Sequence, residues 1–212
     1  MSELAAPPRP KLRGVIHLIG AIVAIPAVIW LALSAAGGIT TLGASVYGVC
    51  LVLLLGVSAS YHTVQWSPRM YFVLKRIDRS MIFVFIGGSY TPFLLGVGGN
   101  AVDIGLTLIW TGSILGVAKT VFWTRPNRWF TAVPYVIIGW MGLPFIPDVY
   151  RWGGPAVFSL IAGCGVIYTL GAVVYARRWP DPAPTLFGFH EVFHCLVVLA
   201  AACHYVAVWK IV

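Results

Sequence analysis

Five side chains in three apolar stretches have the types and spacing of a metal-dependent hydrolytic site. They are Ser58 and His62 in "SASYH", Asp78 in "LKRIDRS", and His190 and His194 in "FGFHEVFH". Histidines four residues apart share one face of a helix, so His190 and His194 can grip one ion together. A third imidazole from a facing helix, His62, completes a set of three nitrogen donors. The fourth tetrahedral position then stays open for water, as in catalytic rather than closed structural zinc sites. Zinc so held makes water a nucleophile at neutral pH and polarises a carbonyl. Asp78 can take the proton of that water and return it to a leaving group. Ser58, one turn from His62 on the same face, can donate to a developing oxyanion, or can fix Asp78 or the water. A simpler reading also stands: each histidine hydrogen-bonds within a bundle, Ser58 bonds the carbonyl one turn back, and Asp78 is an N-terminal helix residue facing loop cations.

The elements that must carry these residues follow from composition. The 212 residues are 59% hydrophobic and 9% charged, with mean hydropathy +0.90, too little polar surface to coat a water-soluble globule. Lipid is therefore the expected solvent. Crossing a bilayer takes about 20 mostly apolar residues as a helix. Seven such stretches can be laid out, at 14–34, 45–66, 77–97, 103–123, 129–147, 154–176 and 188–210. The fold expected is an all-α membrane protein, a single seven-transmembrane helix bundle over 14–212 behind a basic N-terminal tail at 1–13. The first apolar run is long enough to remain as a span, so no secretory signal is read into it.

Charge orients the bundle. Arg9, Lys11 and Arg13 precede span 1; Arg69, Lys75, Arg76 and Arg79 lie between spans 2 and 3; Lys119, Arg125 and Arg128 surround the end of span 4; Arg177 and Arg178 follow span 6. The opposite loops hold only Arg151. The positive-inside rule then puts the N-terminus in the cytoplasm and the C-terminus outside. The formal charge of +8 is thus mostly a topology signal. It is divided among four short loops, which suits anionic lipid headgroups and not nucleic acid. Cys50, Cys164, Cys195 and Cys203 lie inside spans without C-x-x-C spacing and read as packed free thiols.

With this topology the five side chains converge in depth. His190 and His194 occupy the first two turns of span 7, His62 lies about one turn from the same boundary on span 2, and Asp78 begins span 3. Ionisable groups within a membrane are costly and usually mark function. His204 lies ~15 Å along span 7 from His194, too deep for the same ion. The different depths of His17 and His204 argue against one haem iron between them; both read as packing or interhelical hydrogen bonds. Glu191, ~100° round the helix from His190, reads as a supporting or loop partner rather than a ligand.

These motifs in their order, from about His17 to Val208, resemble the hemolysin III family of bacterial membrane proteins, which shares a superfamily with the progestin and adiponectin receptors and the alkaline ceramidases. The resemblance implies seven helices and a cytoplasmic-side zinc ion held by His62, His190 and His194, with Asp78 and Ser58 beside its water. Two departures stand out. The family usually has Asp-His where this chain has Asp78-Arg79, and often has an acidic residue and an Asn upstream of the first-span histidine, where this chain reads "RPKLRGVIH". Arg79 either pairs with Asp78, weakening it as a base, or turns toward lipid phosphate.

The expected function is that of a multi-pass plasma-membrane, zinc-dependent hydrolase acting on a lipid amide or ester near the inner leaflet. The alternative is a non-enzymatic, receptor-like sensor of the membrane in which zinc clamps spans 2, 3 and 7. Pore formation is the weaker alternative, since no polar stripe runs the length of a span. "GSILG" at Gly112 to Gly116 is a small-xxx-small pattern that seats either a dimer or, more often, a neighbouring helix of the same bundle.

Overall fold

Each apolar stretch becomes a helix because lipid offers no partner for a free backbone N–H or C=O. The computed structural model describes residues 10–123 and 127–212, so Arg9 and Arg125 lie outside the described residues. The helices are α1 (Val15–Ser34), α2 (Gly38–Thr63), α3 (Pro68–Val97), α4 (Thr107–Phe122, preceded by wider π-helical turns at Ala101–Leu106), α5 (Arg128–Trp140), α6 (Ile146–Arg177) and α7 (Phe189–Trp209). Among the described residues there is no β-sheet, only an isolated bridge between Ala183 and Phe187.

Six apolar helical segments are long enough to cross a membrane. Five are α1, α2, α3, α4 with its leading turns, and α7. The sixth runs from Arg128 to Arg177 and contains both α5 and α6. It is broken twice, at the turn Met141–Phe145 and at Gly154, whose φ of 75° and ψ of 178° are not helical. Its two arms run antiparallel: Arg128 Nη1 reaches the carbonyl of Tyr175 at 3.5 Å, and Trp140 Nε1 donates to Thr169 Oγ1 at 3.0 Å.

The chain is inside-out relative to a water-soluble protein. Leu33 is 79% and Phe122 84% exposed, and Ile22, Val23, Ile114 and Leu115 also face outward. Such a belt is stable only against lipid tails. The core is drawn from α1, α2, α3, α6 and α7, around Leu31, Tyr47, Leu54, Phe85, Phe93 and Val197. Close approaches depend on small residues. A Cβ on Gly88 would lie 2.6 Å from Cys50, and one on Gly116 2.3 Å from Phe83. Gly112 faces Met141 and Ile138, so both ends of the "GSILG" pattern pack within the bundle. All four cysteines are free.

One boundary differs from expectation in a way that matters for the site. Arg69, Lys75, Arg76 and Arg79 belong to α3, which starts at Pro68 rather than near residue 77. Ser67 caps it by accepting from the Met70 amide at 3.4 Å, and Pro68 occupies the first turn. The helix continues past the apolar zone with charged turns, and its basic residues lie at the same end of the bundle as Arg13, Arg128 and the start of α7.

Candidate metal centre

α7 places His190 and His194 on one face because its start is firmly capped. Glu191 Oε2 accepts from the Gly188 amide at 2.8 Å, and Asp181 Oδ1 accepts from the Phe189 amide at 2.8 Å. These bonds satisfy two of the first free N–H groups and put negative charge at the positive end of the helix. Glu191 is fully buried, and its other oxygen pairs with Arg13 Nε at 2.5 Å. It is therefore a structural tie between α7 and the segment before α1, not a donor in the histidine cluster. That segment is further tied down by the Lys11 and Leu12 amides, which donate to the carbonyls of Thr185 and Leu186 at 3.1 and 3.2 Å.

α2 brings His62 against this face. The donor nitrogens of His62, His190 and His194 all lie within 4.8 Å of one another, and His62 Nε2 is 3.2 Å from His190 Nε2. Two imidazole nitrogens bound to one tetrahedral zinc at 2.0–2.1 Å stand ~3.3 Å apart. The pair is thus already at the spacing of two ligands on one ion. His194 is 2% exposed and its Nδ1 has no hydrogen-bond partner. A buried imidazole nitrogen without a partner, as on His194, is costly, and a cation shared by the cluster answers that cost. The group can hold a metal ion.

α1 supports the cluster from the other side. The His17 ring lies parallel to that of His194, with centroids 3.8 Å apart and planes 9° from parallel. His17 is buried and outside the three-nitrogen group, so it packs on a candidate ligand without joining the set. Gly14, at φ 84°, lets α1 approach the cluster closely: a Cβ there would stand 2.6 Å from His62 Cβ and 2.9 Å from Thr63 Cγ2. Neither contact is legible in the sequence, because both depend on how α1 is rotated against α2 and α7.

Asp78 lies on α3 and faces a cavity of about 410 Å³ that His62 and His190 also line. Ser58 is buried and hydrogen-bonds the Asp78 side chain. Ser58 does not line the cavity, so of its two candidate tasks, fixing Asp78 is the one its position suits. From this basic end the cavity continues between α3, α5, α6 and α7 to Val149, Phe158 and Cys164, and its walls are mainly apolar. His204 sits toward the far end. Its Nε2 is 3.1 Å from the Ser89 carbonyl, which can only accept, so Nε2 carries the proton. The ring also stacks on Tyr47 at 5.6 Å. This is an interhelical hydrogen bond between α7 and α3, remote from the three histidines.

A multi-pass helical bundle with a buried three-histidine cluster, two of whose members line a mainly apolar cavity, is the class of protein that fold and site define. The sequence matches the family HlyIII, "Haemolysin-III related", over residues 6–205. It is 33% identical over 163 residues to Hemolysin-3 of Bacillus cereus, covering 75% of this chain and 74% of that one. It is 26% identical over 175 residues to the human Monocyte to macrophage differentiation factor, covering 78% of this chain and 68% of that protein. It is 29% identical over 174 residues to Progestin and adipoQ receptor-like protein 1 of Caenorhabditis elegans, covering 73% of this chain and 40% of that one. The chain belongs to the haemolysin-III-related family and is an integral, multi-pass membrane protein.

Proposed function

We propose that this protein is a zinc-dependent hydrolase of a membrane lipid amide or ester. The observation that carries the reading is a mainly apolar cavity of about 410 Å³ lined by His62, His190 and Asp78 together. We also propose seven crossings, with α5 and α6 as separate spans joined at the break after Trp140, the basic end and N-terminus in the cytoplasm and the C-terminus outside. Their antiparallel arms support this, since 50 residues of helix would measure ~75 Å, more than twice the ~30 Å apolar core. The basic end then faces the inner leaflet, and a lipid enters sideways from it.

His62, His190 and His194 would hold the ion. Bound there, zinc supplies Lewis acidity that polarises a carbonyl and makes water nucleophilic near neutral pH. Asp78 accepts the proton that water loses as its oxygen bonds to the carbonyl carbon, and delivers it to the amine or alkoxide oxygen as the C–N or C–O bond breaks. Ser58 holds the carboxylate in position. The apolar walls bind the acyl chain and keep bulk water away from the carbonyl.

Asp78→Asn tests this assignment. The amide keeps the shape, the three histidines are untouched, and zinc should stay; hydrolysis should fall ~10²–10⁴-fold, since an amide cannot take the proton. Full activity in that variant with zinc bound would remove Asp78 from the mechanism. A second reading, a non-enzymatic sensor in which the ion clamps the bundle, is favoured by the likeness to a receptor-like protein. It is distinguished by the parent itself: purified, zinc-loaded protein that turns over no lipid is a clamp.

A further inference from the structure

The basic end has more cations than the protein can pair. Among the described residues its carboxylates are committed: Glu191 to Arg13 and the Gly188 amide, Asp181 to the Phe189 amide, and Asp78 to Ser58, with Arg79 near enough to attract its charge but not in an ion pair with it. The remaining ion pair, Asp148 with Arg151, involves another part of the chain, the first turns of α6. Yet Lys75, Arg79 and Arg128 line the cavity beside His62 and His190, half-buried and in no ion pair with a described carboxylate. Arg128 is anchored over the rings of Phe189 and Tyr175, at 4.9 and 5.5 Å, both of which neighbour the ring of His190. Arg178, Arg79 and Arg13 are each close enough to Arg128 to repel it. Like charges held together in a partly desolvated mouth destabilise it unless an anion sits between them.

We infer that the cavity mouth binds the phosphate of an anionic, single-chain lipid between Arg79 and Arg128, with the acyl chain in the apolar cavity and the carbonyl left facing the three histidines. Guanidinium groups match phosphate oxygens in bidentate geometry, which a lysine at the same place does less well. The positive-inside rule accounts for basic residues at this end of the bundle but not for their placement in the cavity wall. The inference rests on the lipid-hydrolase reading and narrows its substrate class to anionic phospholipids, excluding neutral ones.

Zinc-loaded protein in phosphatidylcholine nanodiscs would be titrated with oleoyl lysophosphatidic acid, with monoolein, which has the same chain and ester but no phosphate, and with inorganic phosphate. Retention is read by native mass spectrometry. Lysophosphatidic acid should bind at least about tenfold more tightly than monoolein, and Arg79→Gln and Arg128→Gln should each remove about tenfold, the worth of a charge-assisted hydrogen bond. Arg79→Lys and Arg128→Lys should keep most of the preference. Arg177→Gln removes the same charge outside the cavity and should change nothing. Equal binding of monoolein, an equal loss in Arg177→Gln, or displacement of the lipid by inorganic phosphate at matching concentration would overturn the inference. Because binding is read rather than turnover, the two readings fail separately. Arginine-dependent retention without hydrolysis sinks the hydrolase and keeps the anionic ligand; hydrolysis of neutral lipid that ignores both arginines does the reverse.

Discussion

Replacing Gly14 by alanine should loosen the metal centre without altering any donor. The new Cβ would lie 2.6 Å from His62 Cβ and 2.9 Å from Thr63 Cγ2, where carbon atoms rest at about 3.5–4.0 Å. Relief therefore takes a shift of roughly 1 Å in α2 or in the segment before α1, applied at the root of the His62 side chain. Alanine must also adopt φ near 84°, a left-handed conformation that costs ~1–2 kcal/mol. Strain and displacement can be separated with Gly37→Ala, which meets a φ of 96° but has nothing within 4 Å. Both variants should lose thermal stability from backbone strain, Gly14→Ala the more because it adds the overlap. Only Gly14→Ala should lose metal, by ~10–100-fold in affinity, the usual effect of disturbing the surroundings of a ligand. Zinc retained by each purified protein during dialysis against a graded chelator series measures this. If Gly14→Ala holds zinc as tightly as the parent, or Gly37→Ala loses it equally, the contact between Gly14 and His62 does not set the site.

Further expectations concern the ligands, their support and the topology. Elemental analysis should find about one zinc per chain, lost on His194→Ala, since two imidazoles hold the ion poorly; stoichiometric zinc surviving that change would disprove the ligand set. His17→Phe should retain zinc because a ring still stacks on His194, whereas His17→Ala should weaken retention while leaving all three donors present; equal loss in both would mean His17 contributes its nitrogens instead. In intact cells Arg69→Cys should resist a membrane-impermeant thiol reagent and Arg151→Cys should react, each in a background lacking the native cysteines. The reverse pattern would place the basic end outside.

How much of this was legible in the sequence depended on the range over which each feature is encoded. His190 and His194 share a face by local periodicity, and His62 reached their depth from the length of its apolar run alone. The start of α3 was misplaced because its first turns are charged: Arg69, Lys75 and Arg76 read as loop, though Ser67-Pro68 is a helix-start signal in its own right. Glu191 was legible as a partner rather than a ligand from its angle to His190. That its partner is Arg13, 178 residues away, was not, because nothing local specifies the pairing. The stack of His17 on His194 and the contact of Gly14 with His62 failed for the same reason. Arg79 was visible as a departure from the family pattern, but its place in the cavity wall required the paths of α5 and α6.

The location of the histidine cluster explains why enzyme and clamp are hard to tell apart by stability alone. α2 packs chiefly on α1 and α3, and α7 chiefly on α6 and α1. His62 therefore meets His190 and His194 where two sets of helices adjoin, a junction that α1 and the Arg13–Glu191 pair also bridge beside the cluster. An ion held by all three imidazoles cross-links the two sets, and it stabilises the native bundle by mass action whatever else it does. Loss of stability on chelation is thus common to both readings. What a clamp does not require is Asp78 lining the same cavity as His62 and His190, or a cavity that runs on between α3, α5, α6 and α7 with apolar walls. A structural zinc ion almost always has four protein ligands and no access, whereas this cluster offers three, two of which line a space of about 410 Å³. The incomplete ligand set and the open side belong together, and both favour a site that takes a substrate.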